Sequence, residues 1–196
     1  MDLAQQEFNM KNNLMEVMRP KGTHLDEELR RFCDELKKHI GESPTIVELG
    51  SYMGESSLIF SEEFPNAKIT CIDSWEGGFD TMDTCSSDNY SLVEEQFDLR
   101  LSSSTNITKI KGLSNCTKIK CDMVYIDACH KYECVKEDIL HWLPLVGKII
   151  SGHDYYLNLD FINSHPHIKG VRQAVDELLG SPDMVFGDGS WFKIIE

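Results

Sequence analysis

The sequence predicts an α/β fold: a doubly wound, mostly parallel sheet that ends in an antiparallel hairpin and is preceded by helices. Three observations predict it. Short apolar runs alternate with helical periodicity from residue 45 onward. Two of the later runs are apolar on both faces, as strands covered by helices on each side must be. The final stretch places a turn signal between two apolar runs.

Residues 2–19 and 24–41 read as helices. In the second, Leu25, Leu29, Phe32, Leu36 and Ile40 recur at steps of three and four, which puts them on one buried face. Thr23 stands at its N-cap with Asp26 in the first turn, Pro20 and Gly22 separate the two helices, and Gly41 closes the second. Strands are expected at 45–49, 68–73, 107–111, 122–127 and 146–152, and helices at 54–63, 90–101, 131–142 and 168–180. The runs DMVYID (122–127) and VGKIISG (146–152) are the two with apolar residues on both faces. Such alternation implies right-handed crossovers. Runs 183–187 and 191–195 flank Asp188-Gly189-Ser190, a hairpin signal. Residues 76–89 are rich in Gly, Asp, Ser and Thr and read as a long loop suited to a mobile lid. The expected organisation is one domain, with a helical segment at 1–44 packed on a core unit at 45–196.

Charge and cysteine usage narrow the function classes. The formal net charge of −14 opposes a nucleic-acid partner, and Lys109, Lys111, Lys118 and Lys120, the one basic cluster, read as a solvated rim. No apolar run approaches the roughly 20 residues that span a bilayer. The start MDLAQQEFNMKNN lacks the basic and apolar regions of a signal peptide, so no membrane association and a cytoplasmic location are expected. Seven cysteines include no CxxC pair, which argues against a zinc ribbon or a thioredoxin-like motif. Cys71 and Cys129 sit in apolar, strand-like contexts and read as buried thiols in a reducing compartment.

The stretch TIVELGSYMGESS (45–57) is a strand–loop–helix junction whose glycines, Gly50 and Gly54, let a ligand approach the backbone. Asp73 ends the next strand and offers two carboxylate oxygens to a ribose diol. A dinucleotide is the competing ligand, but Tyr52 stands where its fingerprint wants a glycine and would crowd a pyrophosphate. Further on, Asp127 and Asp154 end two strands, and parallel neighbours bring such ends to one edge. Hard carboxylate oxygens there suit Mg²⁺ or a similar divalent ion.

VELGSYMGESS, CIDSW, and DMVYIDACHKYE with its sequel SGHDY together resemble the class I S-adenosylmethionine (SAM)-dependent methyltransferases. Within that class the chain is similar to small-molecule O-methyltransferases, catechol-type and antibiotic-tailoring, over about residues 45–196. The resemblance implies a Rossmann-like sheet with an antiparallel last strand. It also implies that the loop holding Gly50, Ser51, Tyr52 and Gly54 runs under the methionine part of SAM, with Glu48 helping to position it. Ser74 and Trp75, beside Asp73, and Ser114 would then lie near the adenosine. Asp127 matches a metal aspartate, also placed to orient the SAM amino group. His130 stands where a catalytic lysine is expected, and Asp154 matches a second metal aspartate. Tyr155 replaces the family's asparagine, which leaves His153, Glu133 or water as the third ligand. The implied reaction is methyl transfer to a small hydroxylated molecule, with His130 as base. A related tailoring hydroxylase and a non-catalytic SAM- or nucleotide-binding module remain alternatives. The amphipathic N-terminal helices suit a homo-oligomer as well as their own core.

Overall fold

The computed structural model describes residues 21–81 and 83–195, so the helix expected at 2–19 lies outside the described residues. Helix α1 (His24–Ile40) is followed by strand β1 (Thr45–Leu49), α2 (Glu55–Glu63), β2 (Lys68–Asp73), α3 (Tyr90–Arg100) and β3 (Ile107–Lys111). Then come β4 (Cys121–Ile126), α4 (Tyr132–Trp142), β5 (Val146–Gly152), α5 (Leu159–Ser164), α6 (Lys169–Leu179), β6 (Met184–Val185) and β7 (Trp191–Ile194). The seven strands form one sheet in the order β3-β2-β1-β4-β5-β7-β6. Strands β1 to β5 pair in parallel; β7 runs antiparallel to both β5 and β6. The expected architecture is the observed one.

Alternation along the strands divides the core into two layers. Ile46, Met123, Tyr125, Ile149 and Phe192 face α1 and α2, meeting Leu29, Phe32, Leu36 and Phe60. Their neighbours Val47, Leu49, Val124, Ile126, Ile150 and Trp191 face the other way, onto Val135, Ile139 and Trp142 of α4 and Val171 and Val175 of α6. A period of two on a sheet covered on both sides makes most central strand residues apolar. On the α2 face, Arg30 of α1 reaches Glu62 and Glu63 at 2.7 Å each, and Lys37 reaches Glu63 at 2.9 Å.

Two segments differ from expectation. Residues 155–167, for which the sequence predicts no element, contain α5 and the start of a 3₁₀ turn at Pro166–Ile168. Asn158 starts α5 by accepting the N–H groups of Asp160 and Phe161. Six residues are too few to show helical periodicity. The 76–89 loop likewise holds a 3₁₀ turn, Thr84–Ser87, capped where the Asp83 carboxylate accepts the Cys85 N–H. Strand β4 begins and ends one residue earlier than expected.

Chain order reverses between β1 and β4, the neighbours from which the sheet winds outward in opposite directions. The carboxyl ends of these strands are where such folds place ligands.

Candidate active site

Close approach of the strand ends builds the site. Gly50 adopts φ 81°, and a Cβ there would stand 2.1 Å from the Asp127 carbonyl oxygen, so any side chain would drive the β1 and β4 loops apart. Gly152 does the same between β5 and β4: its Cβ would lie 2.4 Å from the Ile126 carbonyl. Tyr52 keeps a glycine-like φ of 46° while carrying a large side chain. It is held from three sides. Its N–H donates to Asp73 at 2.8 Å, its carbonyl accepts the Trp75 indole N–H at 2.9 Å, and its hydroxyl donates to Asp88.

Asp73 accepts the N–H of Tyr52 on one oxygen and that of Trp75, at 2.7 Å, on the other, which fixes the carboxylate at the lip of β2. Burial pushes its pKa up, and those two bonds partly offset the rise. Glu48 is fully buried and accepts the hydroxyls of Ser51 at 2.7 Å, Ser56 at 2.6 Å and Ser57. Burial raises it too.

Asp127, His130, His153 and Asp154 converge after β4 and β5. His130 Nε2 lies 3.0 Å from Asp154 and 3.9 Å from Asp127; its Nδ1 faces Asp83 at 3.5 Å and Asp80 at 3.7 Å. His153 Nδ1 lies 3.2 Å from Asp154 and 3.8 Å from Asp127, while its Nε2 faces the buried Asp188 at 3.8 Å. One ligand atom each from Asp127, His153 and Asp154 lies within 4.8 Å of the other two. Burial opposes a charge on His130, but Asp127, Asp154 and Asp80 outweigh it and hold the imidazole well above its usual range. For Asp154, burial is likewise outweighed, by His153 and His130, and the carboxyl falls well below 3.8. Asp154 has φ 61°, so local backbone strain coincides with this cluster.

These groups share a cavity of about 680 Å³ with Gly50, Ser51, Tyr52, Asp73, Ser74 and Ser114. Among its described lining residues are ten Asp and Glu side chains and no Lys or Arg. Three sequence candidates stand off the wall. Glu48 lies beneath it, linked through Ser51; a Cβ on Gly54 would stand 3.0 Å from Leu101 and Phe97; Trp75 is buried edge-on to Phe97, with Lys109 Nζ 4.5 Å from its ring centroid. Ser114 does line the cavity, but its hydroxyl is given to Asp138. Glu133 is not among the cavity-lining residues. Asp80, Asp83 and Asp188 are the residues that sequence reasoning missed. The first two were read only as lid composition and the third only as a turn, because nothing local in the sequence links them to His130 and His153.

A family model described as a methyltransferase domain matches residues 47–155, more than half of the chain. The chain belongs to the methyltransferase-domain family. It is a methyltransferase. Among solved structures, this methyltransferase resembles a Staphylococcus aureus protein provisionally named a caffeoyl-CoA O-methyltransferase, with TM-score 0.60 and 16% identity over 98% of this chain and 90% of that one. The N-methyltransferase NodS of Bradyrhizobium japonicum gives TM-score 0.57 and 9% identity over 88% and 96%. A Methanococcus maripaludis protein provisionally named a SAM-dependent methyltransferase gives 0.57 and 14% over 95% and 91%. At these identities the likeness is one of fold. No curated protein matches the sequence. Among the described residues, no helix is long and apolar enough to cross a membrane.

Proposed function

We propose that this methyltransferase acts on the oxygen of a small hydroxylated molecule, assisted by a divalent cation such as Mg²⁺ held by Asp127, Asp154 and His153. The observation that carries the reading is the convergence of those three ligand atoms within 4.8 Å, beside His130. Two hard carboxylates and one imidazole fit Mg²⁺ or Mn²⁺. Asp188 faces the second nitrogen of His153, as carboxylates do behind metal-bound imidazoles. The wall charge fits SAM, whose sulfonium and ammonium are cationic; a pyrophosphate would meet ten acids and no Lys or Arg. Gly50, Ser51, Tyr52, Asp73, Ser74 and Ser114 form the SAM-facing set in this reading, with Glu48 acting through Ser51. Residues 45–196 then make the SAM-binding unit, with α1 packed on it.

Bound SAM supplies an activated methyl group, and the cation supplies positive charge that favours an ionised acceptor hydroxyl. His130 takes the acceptor proton at Nε2. Without a cation, the surrounding carboxylates keep that nitrogen protonated. A cation held by Asp127 and Asp154 would draw on the two carboxylates nearest Nε2, so that His130 would hold its proton less firmly and could serve as the base. Asp83 and Asp80 keep the ring turned so that Nε2 faces the acceptor.

The test is calorimetric titration with SAM and with NAD, each with and without Mg²⁺, followed by methyl transfer to phenolic and sugar hydroxyls. Saturable SAM binding, no NAD response, and a product heavier by one methylene are expected. His130→Ala should slow turnover by about 10²–10⁴-fold with SAM affinity changed less than about twofold. Full activity in that variant would remove His130 as the base, and a rate indifferent to a chelator would remove the cation.

A further inference from the structure

Cys129 and Cys134 carry chemistry that the methyl-transfer site does not use. Cys129 lies in the loop after β4, immediately before His130, and Cys134 lies in the first turn of α4. Their sulfur atoms are in direct contact at 2.7 Å, with both thiols free. Both are half-buried and both line the cavity, so a small oxidant entering it reaches them.

We propose that this pair is a reversible redox site, closing to an intramolecular disulfide under a hydroperoxide and controlling His130 between its two ends. Burial and the neighbouring Cys129 push the Cys134 thiol up to about 12, and the Cys129 thiol donates to the Cys134 sulfur in the contact. Cys129 sulfur attacks the peroxide; the O–O bond breaks, one oxygen stays as a sulfenic acid, and the other leaves as water. Cys134 sulfur then displaces that oxygen: the S–S bond forms, the S–O bond breaks, and a second water leaves. Two thiols are oxidised by two electrons and one peroxide is reduced to two waters. A dithiol reductant reverses the change.

The geometry explains why the bond would reach the active site. The segment is clamped elsewhere: Lys131 Nζ donates to the Phe79 carbonyl, the Tyr132 hydroxyl donates to Glu177 at 2.6 Å, and a Cβ on Gly170 would stand 2.4 Å from the His130 carbonyl. Drawing the sulfurs together to the roughly 2.05 Å of a disulfide must therefore be absorbed close to Cys129 and His130. The effect on rate rests on the methyl-transfer reading above; the dithiol site itself does not.

The test treats reduced protein with hydrogen peroxide, caps remaining thiols with N-ethylmaleimide, and maps tryptic peptides without reduction. Cleavage after Lys131 separates the two cysteines, so a disulfide appears as two linked peptides. Linkage of Cys129 to Cys134, an intact mass lower by about 2 Da, and recovery with dithiothreitol are expected. On the methyl-transfer reading, oxidised protein turns over about tenfold more slowly. Cys134→Ser should keep the reduced-state rate and lose the sensitivity to peroxide. No linked peptide, or linkage to Cys85 or Cys116 instead, overturns the site. Linkage without a change in rate overturns its control of His130. Protein that transfers no methyl when reduced overturns the functional reading, while the peptide map still decides the dithiol.

Discussion

Asp138 shows at the residue scale how a cavity wall imposes itself on stability. Its side chain is buried, accepts the Ser114 hydroxyl, and is raised by burial from 3.8 to about 6. A carboxyl raised in the fold stabilises it fully below its unfolded value and loses that contribution as pH rises through the folded one. Asp138→Asn keeps an acceptor for Ser114 and removes the ionisation. Its stability relative to the parent chain should therefore climb by about 2 kcal/mol between pH 4 and pH 7. Urea unfolding at the two pH values measures this, and a pH-independent difference would contradict the burial argument. Individual site residues were unevenly legible. Asp73, Asp127 and Asp154 stand at or just beyond strand ends, where periodicity locates them, whereas His130 and His153 were singled out through the resemblance. Trp75 follows an equally readable strand, yet the chain turns there with φ 46° and sends the ring into the core against Phe97.

Between elements, the 76–89 segment meets the α4 entry at few points. Asp80 and Asp83 face His130, and Lys131 Nζ donates to the Phe79 carbonyl in an exposed position. An exposed charge-assisted bond of this kind contributes about 1 kcal/mol. Lys131→Ala should accordingly speed amide exchange over the described residues of 77–89 by about fivefold, with exchange in β1 and β4 unchanged. Hydrogen exchange by mass spectrometry reads both regions, and equal protection in the variant would show that Lys131 holds nothing. Composition marked this stretch as a lid. Which loop it meets was not legible, because a contact spanning 52 residues in sequence leaves no local pattern.

Across the whole molecule, Phe32 ties distant segments together on one face of the sheet. Its ring meets Tyr125 at 5.7 Å, Phe186 at 5.4 Å, Phe192 at 6.3 Å and Phe60 at 6.4 Å between centroids, joining α1 to α2, β4 and the terminal hairpin. Phe32→Ala should cost about 3–5 kcal/mol, because one ring leaves a cavity shared by four neighbours. Leu99→Ala, at a position 59% exposed, should stay within about 0.5 kcal/mol. Denaturant midpoints compare the two, and equal losses would mean that α1 is not integral to the core.

The sequence by itself determined the elements, the two-faced burial of the central strands, the antiparallel ending and the glycine-dependent loop after β1. Each is written in neighbouring residues: a period of two or near 3.6, a turn signal, a glycine beside an acid. Only the tertiary structure decided that Asp80, Asp83 and Asp188 face the histidines, that Glu48 works from beneath the cavity, and that two cysteines five positions apart touch across the His130 loop. These depend on the strand order β3-β2-β1-β4-β5-β7-β6 and on where each loop settles over the strand ends. Such placement results from packing between distant segments, and no local run of residues records it.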